Sequence, residues 1–169
     1  MAAKEAAPPP LLMDVAFVLF VLTALTDMLD GMIARRYKLV TTFGRIADPF
    51  ADKVLVIGSF IFLMGFRNAY LSAWVVVVII SREFLVSGLR GYIEGQGKKF
   101  SATMWGKVKV CSQYTIIGWL IFFLAHFGDN AAAVVLTKIS VVAVAILTAI
   151  SGVTYLLKAI RMLCGDETS

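Results

Sequence analysis

Residues 27–52 read DMLDGMIARRYKLVTTFGRIADPFAD, and this stretch decides both the fold and the chemistry of the chain. It joins two long apolar segments, yet it contains four carboxylates. Carboxylates beside sequence that is apolar enough for a bilayer are costly to bury, so they indicate a functional site. The first pair is spaced by three residues and the second by four, which puts each pair on one face of a helix. The four residues are Asp27, Asp30, Asp48 and Asp52.

Small residues accompany the first pair of acids. Gly31 and Ala34 fall on the same helical face as that pair, so a ligand can approach the backbone closely there. Four converging carboxylates repel one another unless cations neutralise them. Ligand sets made only of oxygen suit Mg²⁺, Mn²⁺ or Ca²⁺, and the stretch has no His or Cys that would favour zinc or copper. Two such ions about 4 Å apart form the clamp that phosphoryl chemistry uses.

A plainer interpretation treats the four acids as solvated helix ends. They would then pair with the neighbouring basic side chains, which are Arg35, Arg36, Arg45 and Lys53. That interpretation leaves the paired spacing beside small residues unexplained, so a metal site is the preferred hypothesis.

The whole stretch resembles the signature of the CDP-alcohol phosphotransferase family, D-x-x-D-G-x-x-A-R-x8-G-x-x-x-D-x-x-x-D. All eight fixed positions are matched, by Asp27, Asp30, Gly31, Ala34, Arg35, Gly44, Asp48 and Asp52. Members are integral membrane enzymes that join a CDP-activated group to an alcohol and release CMP. The resemblance implies that the four aspartates hold two Mg²⁺ or Mn²⁺ ions and that Asp52 is also the general base. It further implies a CDP site lined by Gly31, Ala34, Arg35 and Gly44.

Composition indicates a membrane protein of one domain. The chain has 169 residues, of which 60% are hydrophobic, and its mean hydropathy of +0.86 is too high for an ordinary soluble domain. The formal net charge of +5 then predicts cytoplasmic loops that face anionic lipid, and it does not indicate nucleic-acid binding. We expect a flexible Ala/Pro-rich lead-in at 1–10, a membrane domain at 11–163 and a short tail at 164–169.

The apolar runs predict an all-α polytopic membrane helix bundle with five spanning helices. They lie at about 11–36, 44–66, 70–92, 102–127 and 131–163. The family that the chain resembles has six spans, and its aspartate motif begins at the end of the second, whereas here the motif ends the first. A truncated chain, a start at an alternative methionine and a five-helix variant are the three explanations that remain open.

Lys and Arg predict the orientation of the bundle, because they favour the cytoplasmic side. They concentrate at alternate helix ends, at Arg35, Arg36, Lys38, Arg45, Arg90, Lys98, Lys99, Lys107, Lys109, Lys158 and Arg161. The opposite ends have only Lys4, Arg67 and Lys138. We therefore expect the aspartates to lie on the cytoplasmic side. The resemblance to bacterial members of the family implies that the membrane is a bacterial inner (plasma) membrane. The N-terminus of this chain then lies outside, which favours truncation among the three explanations.

A second polar group interrupts the third and fourth predicted spans. Arg82 lies within apolar sequence, and Arg90 follows eight residues later on roughly the same helical face. Glu83 neighbours Arg82 but points about 100° away around a helix, so it is expected to be a poor partner. The aspartate centre or a substrate phosphate could supply the anion, and Arg and Lys both suit phosphate. For Lys107 and Lys109, phosphate binding and snorkelling to the membrane surface remain equally open from spacing alone.

These segments also resemble the bacterial phosphatidylglycerophosphate synthase branch of the family, through residues 79–84, 87–90 and 105–109. There, CDP-diacylglycerol donates its phosphatidyl group to sn-glycerol 3-phosphate, giving phosphatidylglycerol phosphate and CMP. The resemblance thus implies an acceptor phosphate pocket formed by Arg82, Arg90, Lys107 and Lys109, and it suggests a homodimer. The last span is generic apolar helix and does not discriminate between families.

Other functions also have to be weighed against the sequence. Within the family, a cardiolipin synthase would use phosphatidylglycerol as acceptor, and other members use serine or inositol phosphate. A divalent-cation transporter could use the four acids as its ion site, but residues 15–25 and 56–64 are almost free of polar side chains and offer no path. An inactive structural subunit is favoured only if the native protein has no leading helix.

Overall fold

A computed structural model describes residues 8–37, 44–98, 100, 104–127 and 130–164. Within these ranges, the side chains at 27, 28, 30–37, 44–49, 52 and 67 lie outside the description. Most of the predicted lead-in and tail also lies outside it. The described residues form five α-helices: α1 (Pro10–Tyr37), α2 (Gly44–Met64), α3 (Ala73–Gly95), α4 (Met104–His126) and α5 (Ala131–Leu163). The prediction of an all-α fold with five long helices is confirmed for these residues.

The start of α3 differs from the prediction, which placed it at about residue 70. After Met64 the chain makes one turn of 3₁₀ helix at Arg67–Ala69, and Tyr70 then adopts a left-handed conformation with φ 52°. Ser72 is extended, so α3 begins at Ala73, three residues later than expected. A non-glycine residue with positive φ is uncommon and cannot continue a helix, which explains the later start.

Successive helices run in opposite directions. At one end of the bundle, Lys98 Nζ after α3 donates a 2.8 Å hydrogen bond to the carbonyl oxygen of Met162, near the end of α5. At the other end, His126 Nε2 on the last turn of α4 lies 2.9 Å from Asp14 Oδ1 on the first turns of α1. The ends of α3 and α5 therefore lie together, and so do the end of α4 and the start of α1.

Helix α4 is the centre of the bundle, since it packs against α1, α2 and α5, while α3 packs against α5 and α2. The main apolar core lies toward the end of the bundle that contains His126. Its fully buried members include Phe60, Ile79, Ile117 and Phe123, from three different helices. A smaller apolar cluster at the opposite end joins Val86, Ile93, Phe100, Tyr155 and Ala159.

The outer surface of the bundle is apolar. Large hydrophobic side chains are exposed on every helix, for example Val18, Phe62, Trp74, Phe122 and Ile139. A soluble protein rarely exposes apolar surface this widely. Among the described residues, α4 and α5 are long and apolar enough to span a membrane, judged by length and composition.

Candidate functional site

The aspartate motif lies on α1 and α2, which line one cleft. Asp27 and Asp30 are in the second half of α1, and Asp48 and Asp52 are in the first half of α2. Their side chains are outside the described residues, as are those of the four positions expected at a CDP site, Gly31, Ala34, Arg35 and Gly44. The helical backbone fixes the register of all eight positions, and each acid pair shares a helical face.

A cleft of about 510 Å³ separates α1 from α2 and leads toward this motif. On α1 it is lined by a row that includes Ala16, Phe20 and Thr23, and on α2 by a row that includes Leu55 and Ser59. Helical steps of four and three residues continue the first row from Thr23 to positions 27 and 30. The same steps continue the second row from Leu55 to positions 52 and 48. The four acids thus lie at positions on the same helical faces of α1 and α2 that line the cleft.

The donor set of these four positions fits hard divalent cations, because every candidate ligand is a carboxylate. Elsewhere in the part of the chain whose side chains are described, no group of three or more His, Cys, Asp or Glu could hold a metal ion. The aspartate positions are therefore the candidate metal centre.

Arg82 belongs to a layer of buried polar side chains between the two apolar clusters. Only 9% of this residue is exposed. Its Nη2 donates a 2.7 Å hydrogen bond to Ser151 Oγ on α5, and its guanidinium carbon lies 5.3 Å from the ring centre of Tyr155. Its Nη1 lies 3.4 Å from a carboxylate oxygen of Glu83. The guanidinium is therefore held from two helices.

The expectation that Glu83 is a poor partner for Arg82 is wrong. The angular separation of neighbouring residues on a helix describes where the side chains leave the backbone, whereas a long arginine side chain can reach around it. Glu83 also forms an ion pair with Lys109 of α4, and all three side chains are buried. One carboxylate therefore contacts two cations that come from different helices.

Two glycines make room for this arrangement. A Cβ atom at Gly152 would lie 3.2 Å from Cγ of Arg82, and one at Gly106 would lie 2.5 Å from the hydroxyl oxygen of Tyr155. The first distance is tight and the second is impossible without movement. Helices α5 and α4 can thus approach the Arg82 and Tyr155 side chains only because these positions have no side chain.

The four basic residues expected at an acceptor pocket do not all lie together. Arg82 and Lys109 are brought together by Glu83. Arg90 lies two turns beyond Arg82 on α3 and is half-buried, and its Nε is buried without a hydrogen-bond partner among the described residues. Lys107 is exposed and lines a groove of about 810 Å³ between α4 and α5.

Sequence reasoning missed the contribution of α5, which it treated as generic apolar helix. Ser151 and Tyr155 contact Arg82, and Thr148 lies 3.5 Å from the side-chain nitrogen of the buried Gln113. The available signal was the interruption of an apolar run by hydroxyl groups at 148, 151 and 155, which share a helical face.

Comparison with known proteins identifies a family and several similar proteins. The family model described as CDP-alcohol phosphatidyltransferase matches residues 12–160. The chain is similar to proteins named CDP-diacylglycerol–glycerol-3-phosphate 3-phosphatidyltransferase. It is 45% identical to that of Bacillus subtilis over 104 residues, 31% identical to that of Haemophilus influenzae over 121, and 35% identical to that of Rickettsia bellii over 147.

These matches cover different shares of the proteins involved. They span 62%, 70% and 86% of this chain, and 53%, 65% and 79% of the respective relatives. The chain thus spans about half to four-fifths of the length of these curated relatives.

Proposed function

Because the chain belongs to the CDP-alcohol phosphatidyltransferase family, we propose that it transfers the phosphatidyl group of CDP-diacylglycerol to sn-glycerol 3-phosphate. The products are phosphatidylglycerol phosphate and CMP. The observation that carries this proposal is the complete eight-position motif, whose four aspartates lie in register with both walls of the cleft between α1 and α2. The names of the three relatives support glycerol 3-phosphate as the acceptor.

The four aspartates are proposed to hold two divalent cations, Mg²⁺ or Mn²⁺, since an all-carboxylate donor set suits these ions. When bound, such ions would offset the negative charge on the pyrophosphate of the donor. Small residues at 31, 34 and 44, together with Arg35, are proposed to line the CDP site. The lack of side-chain bulk at these positions lets a nucleotide approach the backbone, and Arg35 can pair with a phosphate.

Asp52 is proposed to act as the general base as well as a ligand. Its carboxylate would accept the proton from the primary hydroxyl of the acceptor, and the hydroxyl oxygen would form a bond to the β-phosphorus of CDP-diacylglycerol. The bond between that phosphorus and the oxygen of the leaving CMP breaks in the same exchange. Most of the remaining acceleration would come from holding the two substrates in line.

The acceptor phosphate is proposed to bind at Arg82, Arg90, Lys107 and Lys109. The buried positions of Arg82 and Lys109 support this assignment, because buried cations favour an anionic ligand. The buried Nε atoms of Arg82 and Arg90, which lack partners within the described residues, are further available donors. The exposed position of Lys107 favours a role at the edge of such a pocket.

The bundle is proposed to be polytopic, with all five helices spanning a bacterial inner membrane. Apolar side chains exposed on every helix support this arrangement. The basic ends of the helices are proposed to face the cytoplasm, which puts the aspartates and the acceptor pocket on the side where glycerol 3-phosphate would be supplied. A homodimer is proposed on the family resemblance, and the mass of the purified protein in detergent tests it.

Incorporation of radiolabelled glycerol 3-phosphate into lipid tests the reaction. The purified chain is incubated with CDP-diacylglycerol and Mg²⁺, and phosphatidylglycerol and serine are supplied as competing acceptors in parallel. We expect labelled phosphatidylglycerol phosphate and equimolar CMP. Preferential use of phosphatidylglycerol would instead identify a cardiolipin synthase, and no CMP release with any acceptor would contradict the proposed transfer.

The same assay in the presence of a chelator tests the proposed metal centre. Because the proposed ligands are all carboxylates, excess EDTA should abolish CMP release, and added Mg²⁺ or Mn²⁺ should restore it. Undiminished activity in excess EDTA would overturn the two-cation site.

A further inference from the structure

Glu83 has a place in the fold that no proposed step uses. Its carboxylate lies in the buried polar layer, where it contacts Arg82 on its own helix and Lys109 on α4. The exposed fraction of its side chain is 10%, and those of Arg82 and Lys109 are 9% and 5%.

We propose that Glu83 is a positioning residue, which holds Arg82 and Lys109 in the geometry that receives the phosphate of the acceptor. This inference rests on the proposed function, because it assumes that these two cations serve glycerol 3-phosphate. Glu83 itself does not touch the substrate. Its role is to fix two long, flexible cations before the acceptor arrives, so that binding does not have to order them.

The hydrogen bonding of Arg82 supports a ligand-directed role. Nη2 donates to Ser151 Oγ and Nη1 lies near the Glu83 carboxylate. Nε is buried and has no hydrogen-bond partner among the described residues. A guanidinium has five N–H donors in a rigid fork. The contacts to Glu83 and Ser151 thus orient the guanidinium. The Nε–H group stays available, and it can donate a hydrogen bond to a phosphate oxygen of the acceptor.

The sharing of one carboxylate also favours this role over a purely structural ion pair. A buried pair that only ties α3 to α4 needs one cation for one carboxylate. Here a second cation from a different helix shares the carboxylate, so Glu83 can orient both cations at once. The single carboxylate limits repulsion between the two cations while the pocket is empty.

The Glu83→Gln variant tests the proposal, because it keeps the size of the side chain and removes its charge. We expect the KM for glycerol 3-phosphate to rise about tenfold, the size of effect usual for a weakened charge-assisted contact. The KM for CDP-diacylglycerol should change little, whereas the thermal unfolding midpoint should fall, because two buried cations lose their shared carboxylate. Glu94→Gln is the matched control, since Glu94 is an exposed glutamate on the same helix. It should leave both KM values unchanged.

A conservative variant keeps the test decisive if Glu83→Gln folds poorly. Glu83→Asp retains the charge but shortens the side chain by one methylene, so it should raise the KM for glycerol 3-phosphate by a smaller factor. Equal losses of kcat/KM for both substrates in both variants would indicate a structural ion pair and overturn the proposal.

Combination with Lys109→Met separates this inference from the proposed function. If Glu83 acts through the cations, Glu83→Gln should add much less than tenfold in the Lys109→Met background. If Lys109→Met and Arg82→Ala raise the KM for glycerol 3-phosphate but Glu83→Gln does not, the positioning role is wrong and the acceptor pocket stands. If none of the three changes that KM, the acceptor pocket itself is wrong.

Discussion

Arg82 on α3 donates a 2.7 Å hydrogen bond from Nη2 to the hydroxyl oxygen of Ser151 on α5, which lies 69 residues further along the chain. Both residues are buried. A hydrogen bond to a charged group contributes about 1.5–3 kcal/mol. The last helix therefore takes part in orienting the cation that is proposed to bind the acceptor phosphate.

Removing this hydroxyl tests the contribution of α5. Ser151→Ala should raise the KM for glycerol 3-phosphate by at most about tenfold, because Glu83 and Tyr155 still contact the guanidinium. The KM for CDP-diacylglycerol should not change. Ser140→Ala, on the same helix and away from Arg82, is the control and should behave as the unmodified protein. Steady-state kinetics with each substrate varied in turn provide the measurement.

The two glycines beside the polar layer give a stability prediction. Gly106→Ala should destabilise the bundle by about 1–3 kcal/mol, because the new methyl group would overlap Tyr155. Gly152→Ala should destabilise it less, since the Arg82 stem can yield by a few tenths of an ångström. Gly88→Ala meets open space on α3 and should stabilise the helix by about 0.5–1 kcal/mol. Thermal unfolding in detergent ranks the three variants, and equal midpoints for Gly106→Ala and Gly88→Ala would contradict the packing described here.

Helix positions were predictable because each helix contains an apolar run, and in α4 and α5 this run is long enough to span a membrane. Sequence reasoning placed the ends of the fifth helix correctly, at 131 and 163. It missed the later start of α3, because nothing in the residue types signals a left-handed conformation at Tyr70. The orientation of the bundle in a membrane, and the side chains of the aspartate motif, remain predictions.

Partners that lie far apart in sequence were the hardest part of the polar layer to predict. The need of Arg82 for a partner could be read from its apolar surroundings, but the partners Ser151 and Tyr155 come from a helix whose rotation the sequence does not fix. Lys107 and Lys109 looked equivalent from spacing, yet one is exposed and the other is buried. Residues two apart on a helix point in very different directions, about 200° apart, so only one of them can face a given neighbour.

Substitutions in the aspartate motif separate metal binding from proton transfer. Asp27→Asn and Asp48→Asn should abolish turnover and weaken binding of the divalent cation, because each removes a proposed ligand. Asp52→Asn should abolish turnover while part of the CDP-diacylglycerol binding survives, since three acids remain to hold a cation. Asp14→Asn is the matched control, because Asp14 lies at the opposite end of α1 and pairs with His126. Substantial turnover in Asp52→Asn would remove this residue from the base role.

The Arg82→Ala variant tests the proposed choice of acceptor. Arg82→Ala removes a buried cation and the proposed charge-assisted contact to phosphate, and a contact of that kind contributes about 1.5–3 kcal/mol. The KM for glycerol 3-phosphate should therefore rise about tenfold or more, while the affinity for CDP-diacylglycerol stays nearly unchanged. Arg82→Lys should rescue only in part, because an ammonium lacks the planar fork and cannot reach Ser151 and a phosphate in the same way.

A different result with Arg82→Ala would contradict the proposed acceptor. Removal of Arg82 leaves Glu83 paired with Lys109 alone, so the polar layer keeps one neutral ion pair and the variant is expected to fold. A properly folded Arg82→Ala protein whose affinity falls only for CDP-diacylglycerol would move Arg82 to the donor site. The buried cations would then no longer argue for a small phosphorylated acceptor, and phosphatidylglycerol, the acceptor of a cardiolipin synthase, would become the better assignment.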